Sequence, residues 1–216
     1  MRSRCVDQVI PLFMGALLLL SVSTHAQTAG EFDAEKYVPP YTLAIPQGWG
    51  VERLAVPIDF APSIPYKGVE DLRFAPGWSD VKSEEYWAYA FLWYLEGKPE
   101  ITPQITEKNL TAYYTGLIGR NIDKRKIPKE KLVPVKVAMK KGTADAGDLQ
   151  TYSGTIDMLD YMEQKPITLH CVVHVKLCPG KNNTFMFCQI SPQPSTNKIW
   201  KDFQKLWTTF DCNQAK

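Results

Sequence analysis

The sequence predicts an α+β fold: an antiparallel sheet with a mid-chain helix and a C-terminal amphipathic helix packed on it. Three observations carry this. Four strand-like segments between residues 133 and 190 are joined by short turns, and short turns force antiparallel neighbours. A capped helical pattern follows residue 102. The last apolar pattern, near the C-terminus, recurs at helical spacing with a wide apolar stripe.

Taken in order, the chain opens with Arg2 and Arg4. Residues 10–22 are then apolar apart from Pro11, Gly15 and Ser21, and Thr24-His25-Ala26 follows. Basic, apolar, small is the order of a secretory signal peptide, and the apolar part is too short to span a bilayer. The expected organisation is a signal peptide over 1–26 cleaved after about Ala26, a flexible lead over 27–40 and a single α+β domain over 41–212. The expected location is secreted or periplasmic. No later run is long and uncharged enough to cross a membrane, so no transmembrane segment is expected in the mature chain.

Residues 41–78 are punctuated by proline and glycine, which permits only short strands, at 41–45, 51–57 and 69–74. Residues 85–96 read as the strongest strand. By alternation, one face carries Trp87, Tyr89, Phe91, Trp93 and Leu95, and the other Tyr86, Ala88, Ala90, Leu92 and Tyr94. The alanines leave room for a helix. The ring-bearing face needs a second layer, a ligand or a partner, because five exposed large side chains would form a patch that soluble proteins avoid. Thr102 caps a helix that Pro103 starts, with Ile105, Leu110, Tyr113, Tyr114, Leu117 and Ile118 on one face and Gly119 as the expected stop. A basic connection, residues 120–131, leads to strands 133–140, 149–157, 168–177 and 184–190. It reads as a solvated loop or, more sharply, as a contact for anionic lipid or another polyanion. Ser195 is the expected cap of the last helix, whose stripe is Ile199, Trp200, Phe203, Leu206, Trp207 and Phe210.

Bulk composition narrows the function classes. Hydrophobic residues make up 44% of the chain and charged residues 22%, enough for a packed core. The formal charge of +2 loses Arg2, Arg4 and Asp7 with the leader, leaving +1, so nucleic acid is not an expected partner. Cleavage also leaves four cysteines, Cys171, Cys178, Cys188 and Cys212, in an oxidising compartment. If 167–177 and 184–190 form a hairpin, Cys178 and Cys188 sit at opposite ends. Cys171 and Cys188 are then diagonal neighbours and one candidate disulfide, with Cys178–Cys212 the complementary one. Buried free thiols are the alternative.

No nucleophile elbow, His-Glu-x-x-His, P-loop, dinucleotide fingerprint or Cys-x-x-Cys occurs. His170 and His174 share a strand face about 13 Å apart, too far to chelate one ion together. No catalytic residue, metal ligand or cofactor is assigned. The candidate binding residues are the aromatics Trp49, Trp78, Trp87, Tyr89 and Trp93, where exposed. Asn109 and Asn182 begin glycosylation sequons.

Tyr41-x-x-x-Ile45-Pro-Gln-Gly-Trp49, the later meander and the helix ending near Trp207–Phe210 resemble the PsbP/Mog1-like α+β domains; the chain otherwise looks like a bacterial secreted protein. The resemblance implies a non-enzymatic accessory or binding domain outside the cytoplasm and carries over no site residues. The expected function is therefore a secreted or periplasmic binding domain for a protein or small ligand of the cell envelope. The alternative is an extracytoplasmic hydrolase acting on envelope or extracellular material, with acids and His170 or His174 in a cleft.

Overall fold

A computed structural model describes residues 32–214. The expected signal peptide, and the lead as far as residue 31, lie outside the described residues.

Seven strands form one antiparallel sheet: β1 (Gly50–Val56), β2 (Gly68–Phe74), β3 (Tyr89–Glu96), β4 (Lys136–Lys141), β5 (Gln150–Asp160), β6 (Lys165–Leu177) and β7 (Asn183–Ser191). Their order across the sheet is β1-β2-β3-β7-β6-β5-β4, so the two consecutive runs meet where β3 pairs β7. The α+β prediction holds. Helix α1 (Pro103–Gly119) lies between β3 and β4 in the chain, a 3-10 turn (Lys129–Lys131) follows it, and helix α2 (Lys198–Thr208) closes the fold.

The alternation of β3 separates two cores. Tyr89, Phe91, Trp93 and Leu95 join Tyr113, Tyr114 and Leu110 of α1, with Tyr152, Ile156 and Val173 continuing the same cluster. Ala88, Ala90 and Leu92 join Phe185 and Phe187 of β7 beneath Ile199, Phe203, Leu206 and Trp207 of α2. The small residues let α2 sit over the sheet centre, as their spacing predicts. Rings stack in this layer: Phe187 and Trp207 are 5.2 Å apart at 5°.

Several expectations are corrected. Residues 41–45 make no strand, only the bridge Thr42↔Asp211. The Leu43 and Ala44 carbonyls instead accept hydrogen bonds from the buried Arg73 guanidinium. The aromatic strand starts at Tyr89, not residue 85. Before it, 75–88 folds back through Ala75 N→Ala88 O and Trp87 N→Trp78 O, with Trp87 in the left-handed region at φ 57°. Helix α1 stops at Gly119 as expected, but through a right-handed Arg120 rather than a left-handed turn, and the Asn121 side chain caps the Leu117 carbonyl. Asn197, not Ser195, caps α2 by accepting from Ile199 N. Asn109 is buried in α1, which removes it as a glycosylation acceptor.

The hairpin reading of the cysteines is realised. Cys178 and Cys212 form a disulfide with Cα atoms 6.0 Å apart, tying the end of the chain to the β6–β7 turn. Cys171 and Cys188 share the α1 face as diagonal neighbours and are buried free thiols. Of that pair's two readings, the second applies. Burial pushes the Cys188 thiol well up, with smaller contributions from Cys171 and Glu70.

Candidate functional site: an aromatic cavity and a sealed histidine

The candidate aromatic residues separate by burial. Trp93 is in the deep core, where its Nε1 donates to Glu70 Oε1 at 3.0 Å. Trp49 is half-buried on the other side of the sheet, edge-on to Phe203 of α2 at 6.0 Å. Trp78, Trp87 and Tyr89 come together as walls of one cavity of about 140 Å³.

That cavity lies on the α1 side, over β1, β2 and β3. Leu54, Leu72 and Phe74 form its floor, Tyr113 and Leu117 come from α1, and Phe60 and Tyr161 come from connections. Its construction follows from local sequence. The fold-back of 75–88 sets Trp78 against Phe74 at 4.7 Å, and Trp87 meets Tyr161 edge-on at 5.1 Å. Gly116 lets the 57–66 connection cross α1 closely: a side chain there would collide with the Phe60 carbonyl. Phe60 thereby stands edge-on to Tyr113 at 5.1 Å. Large flat rings thus meet from β2, β3, α1 and three connections, and their edge-on and offset contacts leave a space between them.

The exposed lining residues are Glu52 and Arg120, which place the mouth between β1 and the end of α1. The Arg120 guanidinium lies 5.0 Å over the Phe60 ring, and Arg125 lies 5.0 Å over Tyr161. The basic connection and the aromatic strand, far apart in the sequence, therefore meet here. The lysines of that connection, Lys124, Lys126, Lys129 and Lys131, are exposed, and Lys136, Lys140 and Lys141 line β4, whose Met139 N–H is taken by Glu107 Oε1 of α1 at 2.7 Å.

Behind Tyr113, Glu70 is fully buried. Burial raises its pKa to about 8, against the lowering effect of Trp93 and Tyr113. Its Oε2 has no hydrogen-bond partner of good geometry, although the Tyr113 hydroxyl is close enough to influence the proton.

The histidines divide. His170 is exposed on the open, polar part of the α2 side, over β4–β6. His174, on the same strand face, is sealed under α2. Its Nδ1 meets Asp148 Oδ2 at 2.7 Å, and its Nε2 lies 3.0 Å from the Gln189 amide nitrogen. The two contacts select one arrangement: Nδ1–H donates to the carboxylate and Nε2 accepts from the amide. Asp148 also accepts from Thr151 Oγ1 and from Trp207 Nε1. Burial raises its proton affinity, but the bonds from His174, Thr151 and Trp207 outweigh this and hold the carboxyl below its ordinary value. Asp145, Asp148 and His174 offer ligand atoms within 4.8 Å of one another, a spacing a cation could use. Those atoms are already engaged, since Asp145 accepts from Gln204 and both imidazole nitrogens are partnered. The pair reads as a fastener between the 142–149 turn, β6 and α2, with no imidazole nitrogen left to face a substrate. Sequence reasoning missed it because the turn has to fold back over β6; the polar Asp145, Gly147 and Asp148 before Thr151 were the available signal.

Comparison with protein-family models, with curated proteins and with solved structures returns no match. No helix among the described residues is long and apolar enough to cross a membrane.

Proposed function

We propose that the chain is a non-enzymatic binding domain acting outside the cytoplasm, with the aromatic-walled cavity as the seat of a small ligand of the cell envelope. The observation that carries the reading is the ring-walled cavity of about 140 Å³ that opens to solvent from the α1-side core. Ligand sites are concave, mostly apolar and furnished with a few polar groups, and this one has rings on its walls and two charges at its mouth. The Cys178–Cys212 disulfide and the leader in the sequence support the location. The resemblance of the Tyr41–Trp49 segment to the PsbP/Mog1-like domains points the same way. So does the engagement of both His174 nitrogens, which leaves that imidazole none to act on a substrate.

Thermal unfolding in the presence of toluene, a neutral ring-sized probe, tests the proposal. The expected result is a saturable rise in Tm, because a ligand that binds only the folded state stabilises it. Leu54→Trp and, independently, Leu117→Phe fill the space and should abolish the rise while the protein stays folded. A Tm that does not respond to toluene, or responds equally in the filled variants, would overturn the reading.

A further inference from the structure

Apart from its rings and aliphatic floor, the cavity presents two ionic side chains, Glu52 and Arg120. They come from different elements, an edge strand and the end of a helix. Glu52 makes no ion pair among the described residues. Arg120 has one partner, Asp59, at 3.7 Å, and both side chains are well exposed, 48% and 78%. A long, exposed pair of this kind holds Arg120 weakly, so its guanidinium is available.

The charges constrain the ligand more than the rings do. A ring-bearing anion would satisfy Arg120 but sit against the unpaired Glu52. A ring-bearing cation would satisfy Glu52 but face Arg120, with Arg125 one ring away over Tyr161. A molecule carrying both charges meets each with its complement: a carboxylate takes the planar fork of Arg120, and an ammonium takes Glu52 beside the aromatic walls. The space sets the size of the apolar end. About 140 Å³ is close to the roughly 150 Å³ cavity known to hold benzene, enough for one six-membered ring and too small for a fused pair.

We infer that the cavity is built for a free α-amino acid with a single aromatic ring. The inference rests on the reading of the cavity as a ligand site, and it goes on to name the ligand class. The test is isothermal titration of the protein with phenylalanine, 3-phenylpropionate, phenethylamine and toluene at one ionic strength. Phenylalanine should bind roughly tenfold tighter than either singly charged analogue, since each charge-assisted contact contributes at about that level. Glu52→Gln should bring phenylalanine down to the level of 3-phenylpropionate without weakening 3-phenylpropionate itself. Arg120→Gln should bring it down to the level of phenethylamine. N-acetylphenylalanine should behave as an anion only. If toluene or a singly charged analogue binds as tightly as phenylalanine, the amino-acid assignment falls while the ligand site stands. If no compound binds, toluene included, both fall.

Discussion

On the α2 side of the sheet, the buried side chains of Asp71, Arg73, Asp148, His174 and Gln189 all have partners, and a disulfide fastens the end of the chain. On the α1 side, Glu70 Oε2, Thr106 Oγ1 and Asn109 Nδ2 lack hydrogen-bond partners, and the ring-rich core stops short of filling its space. The contrast teaches where spare capacity resides. The α2 face uses its polar groups to clamp two segments with little regular structure, residues 41–45 and the 142–149 turn, and to hold the last helix. The α1 face has the greater apolar mass yet keeps a cavity and a buried carboxyl with only one of its two oxygens partnered. The α2 face is the more completely paired of the two, although Tyr37 Oη and Arg53 Nε lack hydrogen-bond partners there and an opening lies beside Trp49 and α2; the less complete α1 face holds the ring-walled cavity.

The largest expected effect probes the incomplete face. Glu70 holds its proton in the folded state up to about pH 8, whereas in the unfolded chain it ionises near 4.5. The folded state therefore binds the extra proton, so this contribution is full below about pH 4.5 and is lost as pH rises to about 8. The loss is on the order of 5 kcal/mol. Urea unfolding of Glu70→Gln across that window should show a flatter profile than the parent and a more stable protein at pH 8.

The next two effects probe the complete face. Asp71 accepts from Arg73 at 2.6 Å and meets Arg53 at 3.1 Å and the Tyr41 hydroxyl at 3.2 Å. Asp71→Asn leaves two guanidiniums without a counter-charge, one of them fully buried. Chemical denaturation should report a loss of about 3–4 kcal/mol. Replacing Cys178 and Cys212 together by alanine reopens a loop of sequence separation 34 and should cost about 3 kcal/mol, measured in the same way.

A smaller effect sharpens the reading of the sealed histidine. The Asp148 carboxyl sits below its ordinary value, so its contribution is present above the normal carboxylate range and is lost as pH falls through its folded pKa. Asp148→Asn should cost about 1–3 kcal/mol at neutral pH by leaving His174 and Trp207 poorly matched. It should also reduce the acid limb of the stability profile while leaving toluene binding at the distant cavity unchanged.

Much of this architecture is legible in the residues. Alternation along 85–96 separates the two cores, the paired alanines locate α2, Thr102-Pro103 starts α1, and the β6–β7 hairpin separates Cys178 from Cys188. What is not legible depends on long-range satisfaction of polar groups. Residues 41–45 have a strand pattern, but Arg73, about 30 positions later, takes their carbonyls. The left-handed Trp87 follows from a fold-back whose closing bonds join Trp78 to Trp87 and Ala75 to Ala88. The cavity required residues from β1, β2, β3, α1 and three connections at once, so Trp78, Trp87 and Tyr89 were visible as candidates and Arg120 only as part of a basic run, while Glu52, Phe60 and Tyr161 were not.

The most direct test of the central claim, that the α1-side cavity is a ligand site, is a crystal structure of the protein soaked with toluene. The expected result is a single ring enclosed by Trp78, Trp87, Tyr89 and Tyr113, with no rearrangement of the α2 face. A cavity that holds only water, or has collapsed, under saturating toluene would contradict it.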